Sequence, residues 1–146
     1  MIKLFQFSFA LLLSAFGFCS LTSAQETIRM TDATEGSGIT FKHFDGSAGE
    51  FFIMESLSAG LALFDYDLDG DEDIYLLNGT SLEQFKGNTI VSDTEHCNVL
   101  YRNEGNFRFT DVTQDSGLGD IGFGMGVATG DYDNDGWPDV FVNNGG

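Results

Sequence analysis

Leu61-Ala-Leu-Phe-Asp-Tyr-Asp-Leu-Asp-Gly-Asp-Glu-Asp-Ile-Tyr-Leu-Leu-Asn-Gly79 aligns without a gap on Val127-Ala-Thr-Gly-Asp-Tyr-Asp-Asn-Asp-Gly-Trp-Pro-Asp-Val-Phe-Val-Asn-Asn-Gly145. The offset is 66 residues, and nine of the nineteen positions are identical. Self-similarity at a long fixed period is the signature of a repeat architecture. Both copies share one local grammar. A short apolar run (Gly60 to Phe64, then Met125 to Thr129) leads into the aspartates, and a second (Ile74 to Leu77, then Val140 to Val142) leads out to Asn-Gly. Runs this short, rich in β-branched and aromatic residues and bounded by glycine, read as strand–loop–strand.

Between the copies, Asn98 to Arg102 and Phe107 to Val112 predict two more strands. Asn103-Glu-Gly-Asn106 joins them with hairpin-turn chemistry. No segment after residue 25 sustains a 3.6-residue apolar period, so the predicted class is all-β. Residues 35–50 and 81–95 are polar or glycine-rich and read as loops. No composition shift marks a domain boundary.

The repeated core is Asp-x-Asp-x-Asp-Gly-x-x-Asp, at 65–73 and again at 131–139. Calcium takes six to eight oxygens at about 2.3–2.6 Å, and carboxylates on alternate residues of a tight loop can converge on one ion. The candidate metal ligands are therefore Asp65, Asp67, Asp69 and Asp73, then Asp131, Asp133, Asp135 and Asp139. The glycine after the third aspartate (Gly70, Gly136) permits the left-handed backbone of a sharp turn. Position seven need supply only its carbonyl, so Asp71 and Trp137 can hold equivalent places. An EF-hand would require a glutamate at position twelve and flanking helices. That position is Leu76 or Val142, inside a predicted strand, and a dockerin-like helical loop fails there too. Magnesium favours a rigid octahedron with retained waters, and zinc favours Cys or His, so calcium is the expected ion. Uncompensated, the four carboxylates of each loop would repel one another. The expected role of the ion is structural, letting the flanking strands pair.

The 146-residue chain carries 23 acidic residues against six basic ones, a formal charge of −17. Lys3 followed by the apolar run Leu4 to Phe18 and the small residues Thr22-Ser-Ala24 reads as a secretory signal peptide over 1–24. A lipoprotein reading at Cys19 suffers from the bulky Phe18 before it, and an uncleaved N-terminal anchor is the plainer alternative. Cleavage would leave 25–146 with five basic residues (Arg29, Lys42, Lys86, Arg102, Arg108) against 23 acidic ones, or −18. A chain so charged resists compaction unless cations bind. It offers no basic face to a phosphate backbone, which excludes nucleic acid as a partner. No stable membrane span is expected once the leader is removed. The expected location is secreted, periplasmic or on the cell surface. Loss of Cys19 would leave Cys97 without an intrachain partner.

Gly122-Phe-Gly-Met-Gly126 precedes a predicted strand, not a helix, and no lysine is placed to meet a phosphate, so a closely packed glycine-rich strand is expected. His43 and His96 read as loop histidines. Asn78-Gly-Thr80 matches a glycosylation sequon, and Tyr66 and Tyr132 are expected to pack between neighbouring sheets. No nucleophile–base or paired-carboxylate arrangement stands apart from the loops. The chain is therefore not expected to be an enzyme.

Asp65-Tyr-Asp-Leu-Asp-Gly-Asp-Glu-Asp73 and Gly130-Asp-Tyr-Asp-Asn-Asp-Gly136 resemble the FG-GAP/VCBS repeats of integrin α-type β-propellers. Thr31-Asp-Ala-Thr34, Ser37-Gly-Ile-Thr-Phe41 and Ala62-Leu-Phe-Asp-Tyr-Asp67 resemble the start of cartilage-acidic-protein-like, ASPIC/UnbV-containing secreted proteins. Asn98-Val-Leu-Tyr-Arg-Asn103 and Phe109-Thr-Asp-Val-Thr113 fit that pattern. The resemblance implies a β-propeller with calcium loops between the first two strands of each blade. About two blades are present where a propeller uses 4–8, so a fragment completed by C-terminal blades of its parent chain is expected. The implied function is extracellular or cell-surface binding and adhesion toward a protein or glycan. The alternative is the non-catalytic propeller portion of a larger secreted enzyme, and a third possibility is a purely structural surface protein.

Overall fold

The computed structural model describes residues 28–47, 49, 56–57, 60–81 and 96–145. The leader reading at 1–24 and most of the polar stretch 81–95 lie outside the described residues. The chain divides into two compact units, 1–31 and 32–146. Of the first unit, only the exposed residues 28–31 are described. Among its described residues the second unit is all-β apart from one helical turn.

Four strands form an antiparallel meander: β1 (Leu61–Phe64), β2 (Asp73–Leu76), β3 (Val99–Asn103) and β4 (Phe109–Asp111). A single turn of helix, α1 (Thr113–Ser116), follows, then an antiparallel pair, β5 (Gly124–Gly130) with β6 (Asp139–Asn144). Each strand falls on a run read from the sequence, displaced by one or two residues at its ends. Leu61 faces Leu76 and Phe64 faces Asp73 across the first loop, while Gly130 faces Asp139 across the second. Both aspartate loops thus close tight two-stranded ladders. The predicted strand 107–112 is cut to its centre because Asn106 and Phe107 adopt left-handed φ values of 53° and 57°. The turn between β3 and β4 therefore spans 104–108, where Glu104 N–H donates to the Arg108 carbonyl at 2.7 Å.

Strand β3 is buried on both faces, at Leu100 and Tyr101, while Leu61 and Leu63 of the edge strand β1 stand exposed. Tyr75 and Leu100 sit opposite one another in the β2–β3 ladder. With Phe64, Leu77 and Val112 they make the core, onto which Ala62, Tyr66, Leu118, Val127, Val140 and Val142 pack. The β5–β6 hairpin thus covers this face with its valines. Tyr101 points the other way, and its hydroxyl accepts the Thr40 N–H at 3.1 Å. The segment read as a loop at 35–50 is irregular wherever it is described, yet it is pinned to the sheet. Ser37 carbonyl accepts from Phe109 N–H at 2.7 Å, and Phe44 carbonyl from Gly79 N–H at 2.8 Å.

The polar groups at the heart of the sheet are paired, as an apolar interior demands. Tyr75 hydroxyl donates to the Leu118 carbonyl at 2.8 Å and accepts from Asn98 Nδ2 at 3.2 Å. Burial pushes its phenol above the usual tyrosine range. Asn98 Oδ1 takes the Asn78 N–H at 2.7 Å.

One expectation is corrected by this packing, and two further features emerge from it. Asn78 is 3% exposed, and its side chain accepts from Phe44 N–H and donates to the Cys97 carbonyl, so the sequon is closed to a glycan in the folded chain. Tyr132 is 92% exposed, whereas Tyr66 packs against the core. The helical turn 113–116 was not anticipated: four residues are too few to show a period. Its signal was Gly117, which ends it in the left-handed conformation. Cys97 is free and half-buried, and burial raises its thiol pKa.

Candidate metal centre

Each loop folds by turning its own backbone N–H groups onto its first aspartate. Asp65 Oδ1 accepts from Asp69 N–H at 3.0 Å, and Oδ2 from Gly70 N–H at 2.9 Å. In the second loop Asp131 accepts from Asp135 and Gly136 N–H, each at 3.0 Å. The left-handed turn these bonds require falls twice per loop. It falls at position four (Leu68 φ 62°, Asn134 φ 61°) and at position six (Gly70 φ 96°, Gly136 φ 91°). The third aspartate closes the turn, with Asp69 accepting from Asp71 N–H at 2.9 Å and Asp135 from Trp137 N–H at 2.8 Å. The ninth reaches back, with Asp73 accepting from Tyr66 N–H and Asp139 from Tyr132 N–H, each at 2.7 Å.

The outcome is two carboxylate clusters. Asp65, Asp67 and Asp73 bring one oxygen each within 4.8 Å of one another, and so do Asp131, Asp133 and Asp139. Of the sequence candidates, these six converge. Asp69 and Asp135 each accept one N–H of the turn, and Asp71 and Trp137 lie exposed at the loop tips.

The clusters fit a hard cation. In the first, Asp67 Oδ1 is buried with no hydrogen-bond partner. A buried anionic oxygen without a donor is costly, and a cation among three carboxylates removes that cost. All-oxygen donors suit calcium, magnesium or manganese over softer metals. The electrostatics agree. Burial pushes the Asp73 carboxyl above the usual range. The Asn103 and Tyr66 N–H groups oppose that shift, and the neighbouring Asp67 and Asp69 charges add to it.

The two loops lie close together. Phe64, Tyr66 and Asp67 on one side and Trp137, Pro138 and Val140 on the other line a cleft of about 530 Å³, floored by Ser116 and Leu118. One partner of the first site was missed in the sequence. Asn103, read as a turn residue, donates its backbone N–H to Asp73 Oδ1 at 2.7 Å and its Nδ2 to the Glu72 carbonyl at 3.0 Å. It lies thirty residues from Asp73, and no local spacing could have joined them. His43 and His96 stand away from both clusters, with the His96 ring against Phe44 at 4.1 Å between centroids.

Among the described residues no helix is long and apolar enough to cross a membrane. The family model for FG-GAP-like repeats matches residues 65–142, from the first aspartate of the first loop to β6. No curated protein and no solved structure matches the chain.

Proposed function

The chain belongs to the FG-GAP-like repeat family, and from that premise we propose that it is an exported binding module whose repeats are stapled by calcium. The observation that carries this reading is the duplicated cluster. Two loops 66 residues apart gather the same three carboxylates, one with a buried oxygen that has no donor. FG-GAP-like repeats often bind calcium, and a flexible multi-carboxylate loop suits calcium better than the smaller, more strongly hydrated magnesium. Asp65, Asp67 and Asp73 would hold one ion, and Asp131, Asp133 and Asp139 the other. Asp69 and Asp135 shape the turns.

The ion supplies charge neutralisation, which lets β1 pair with β2, and β5 with β6, across loops of six and four acidic residues. The FG-GAP-like repeat is a non-catalytic fold, and its likeness to extracellular repeat proteins supports action outside the cell as a binding or adhesion module. The four-stranded meander followed by the start of a second sheet supports blades of a β-propeller. An apolar leader at 1–24 supports export.

Calorimetry on the protein purified without its leader is expected to show two calcium sites. Asp65→Ala should remove one, Asp131→Ala the other, and the double variant both. A wild-type protein that takes up no calcium at millimolar concentration would falsify the reading.

A further inference from the structure

The two copies of the repeat part company at loop positions seven and eight. The first has Asp71-Glu72 there and the second Trp137-Pro138, the chain's only tryptophan and only proline. Both of these line the cleft of about 530 Å³ between the loops. The first hairpin gives the same cleft Tyr66 and Asp67, so two aromatic rings share it with a carboxylate. Its volume falls within the usual span of small-ligand sites, roughly 300–1,000 Å³.

The walls are held in place by the fold. Tyr66 and Leu118 pack on the core. Leu118 is fixed twice, its carbonyl accepting from the Tyr75 hydroxyl at 2.8 Å and its N–H donating to Ser116 Oγ at 3.2 Å. Tyr66 N–H donates to Asp73 at 2.7 Å, and Trp137 N–H to Asp135 at 2.8 Å. Pro138 further narrows the backbone choices of the tryptophan before it. Rings anchored in this way give up little freedom when a ligand arrives.

Charge decides what kind of ligand that is. Residues 65–73 hold six carboxylates and residues 131–139 four. Two divalent ions would compensate four of those charges and leave six, enough to draw a cation toward the cleft between them. An ammonium is a compact, strongly hydrated charge, whereas a guanidinium is planar, weakly hydrated and stacks on aromatic faces. Cations over tryptophan or tyrosine rings gain most where water is displaced.

We propose that the cleft between the loops receives an arginine side chain from a basic segment of a partner protein. The Trp137 and Tyr66 rings take the guanidinium plane, and the uncompensated carboxylates of the loops supply the attraction. The inference gives the binding module proposed above a site and a class of partner, and rests on that reading.

Trp137, as the only tryptophan, reports on the cleft directly. The test titrates the purified chain, in millimolar calcium and at physiological ionic strength, with blocked tri-arginine, tri-lysine and tri-glutamate peptides while following tryptophan emission. Tri-arginine should give a saturating change, tri-lysine should bind about tenfold more weakly, and tri-glutamate should give none. Trp137→Ala, followed by calorimetry, should bind tri-arginine about tenfold more weakly. It should take up calcium as wild type does, since position seven need supply only its carbonyl. Arginine and lysine peptides bound alike, or tri-arginine bound equally by Trp137→Ala, would mean attraction to loop charge alone and overturn the inference. An emission that answers a neutral oligosaccharide and not tri-arginine overturns it in favour of a sugar platform. No response to tri-arginine from a chain that takes up calcium removes this inference and leaves the calcium reading standing. A response from a chain that takes up no calcium removes the calcium reading alone. Trp137 is half-exposed, so its replacement gives up little burial. Should the variant still not fold, the wild-type comparison of arginine with lysine decides the question.

Discussion

Leu68 and Asn134 occupy the fourth position of their loops, and both have φ near +60°. For most L-residues that region costs roughly 1–2 kcal/mol, whereas asparagine tolerates it by bonding locally. The second loop therefore carries the better residue and the first a strained one. Leu68 is half-exposed, so its replacement gives up little burial. Leu68→Asn is expected to stabilise the protein by about 1 kcal/mol, read as a higher urea midpoint at an unchanged slope. A midpoint that falls would show that the leucine side chain contributes more than its backbone costs. At this scale the sequence was informative about which carboxylates converge, because alternate spacing within nine residues is local geometry. It was silent on Asn103 and on the burial of Asp73, because both depend on β3 arriving from thirty residues away. The two position-nine aspartates look alike in sequence and differ wholly in exposure.

Strands were legible for a different reason. Each is a short run rich in apolar residues and bounded by polar residues or glycine, and for the four strands flanking the aspartate loops the two copies checked one another. What the runs could not convey is which glycines are there for space. Gly124 opens β5, where its N–H donates to the Asn78 carbonyl at 3.0 Å. A Cβ at that position would lie 2.9 Å from Leu77 Cβ and 3.1 Å from the Asn78 carbonyl oxygen. Neither is the free end of a flexible side chain, so β5 or the end of β2 would have to move. Gly124→Ala is expected to cost about 1–3 kcal/mol, the usual range for overpacking. Gly126→Ala on the same strand meets nothing within 4 Å and is the control. Thermal unfolding of the pair measures it, and equal midpoints would mean the hairpin accommodates the methyl by sliding. The bulge between Gly124 and Gly126 lies in the same segment and had no sequence signal beyond the glycines themselves. Tyr132 marks the opposite failure. Its identity with Tyr66 implied shared packing, but a residue is buried by its neighbours, and the second hairpin leaves it exposed.

For the whole molecule the controlling quantity is charge. Twenty-three acidic residues against six basic ones give a chain that repels itself, and self-repulsion opposes compaction. Two kinds of cation can relieve it, and they act differently. Monovalent salt screens all charges over a Debye length of about 10 Å at 0.1 M, without saturating. An ion held in a site stabilises by mass action, about 2.7 kcal/mol at one hundred times its Kd. Two such sites, in a unit of residues 32–146, correspond to a thermal shift on the order of 10 °C or more. Chelation of the protein lacking its leader is therefore expected to lower the unfolding midpoint by that order. Micromolar-to-millimolar calcium should restore it along a saturating curve, while sodium chloride at matched ionic strength restores only part. The Asp65→Ala/Asp131→Ala protein separates the two effects, since it keeps the salt response and loses the calcium response. If chelation leaves the wild-type midpoint in place, the aspartates are solvated turn residues and the fold carries its charge unaided. If calcium and sodium act alike at equal ionic strength, relief is by screening, and the loops have no specific claim on the ion.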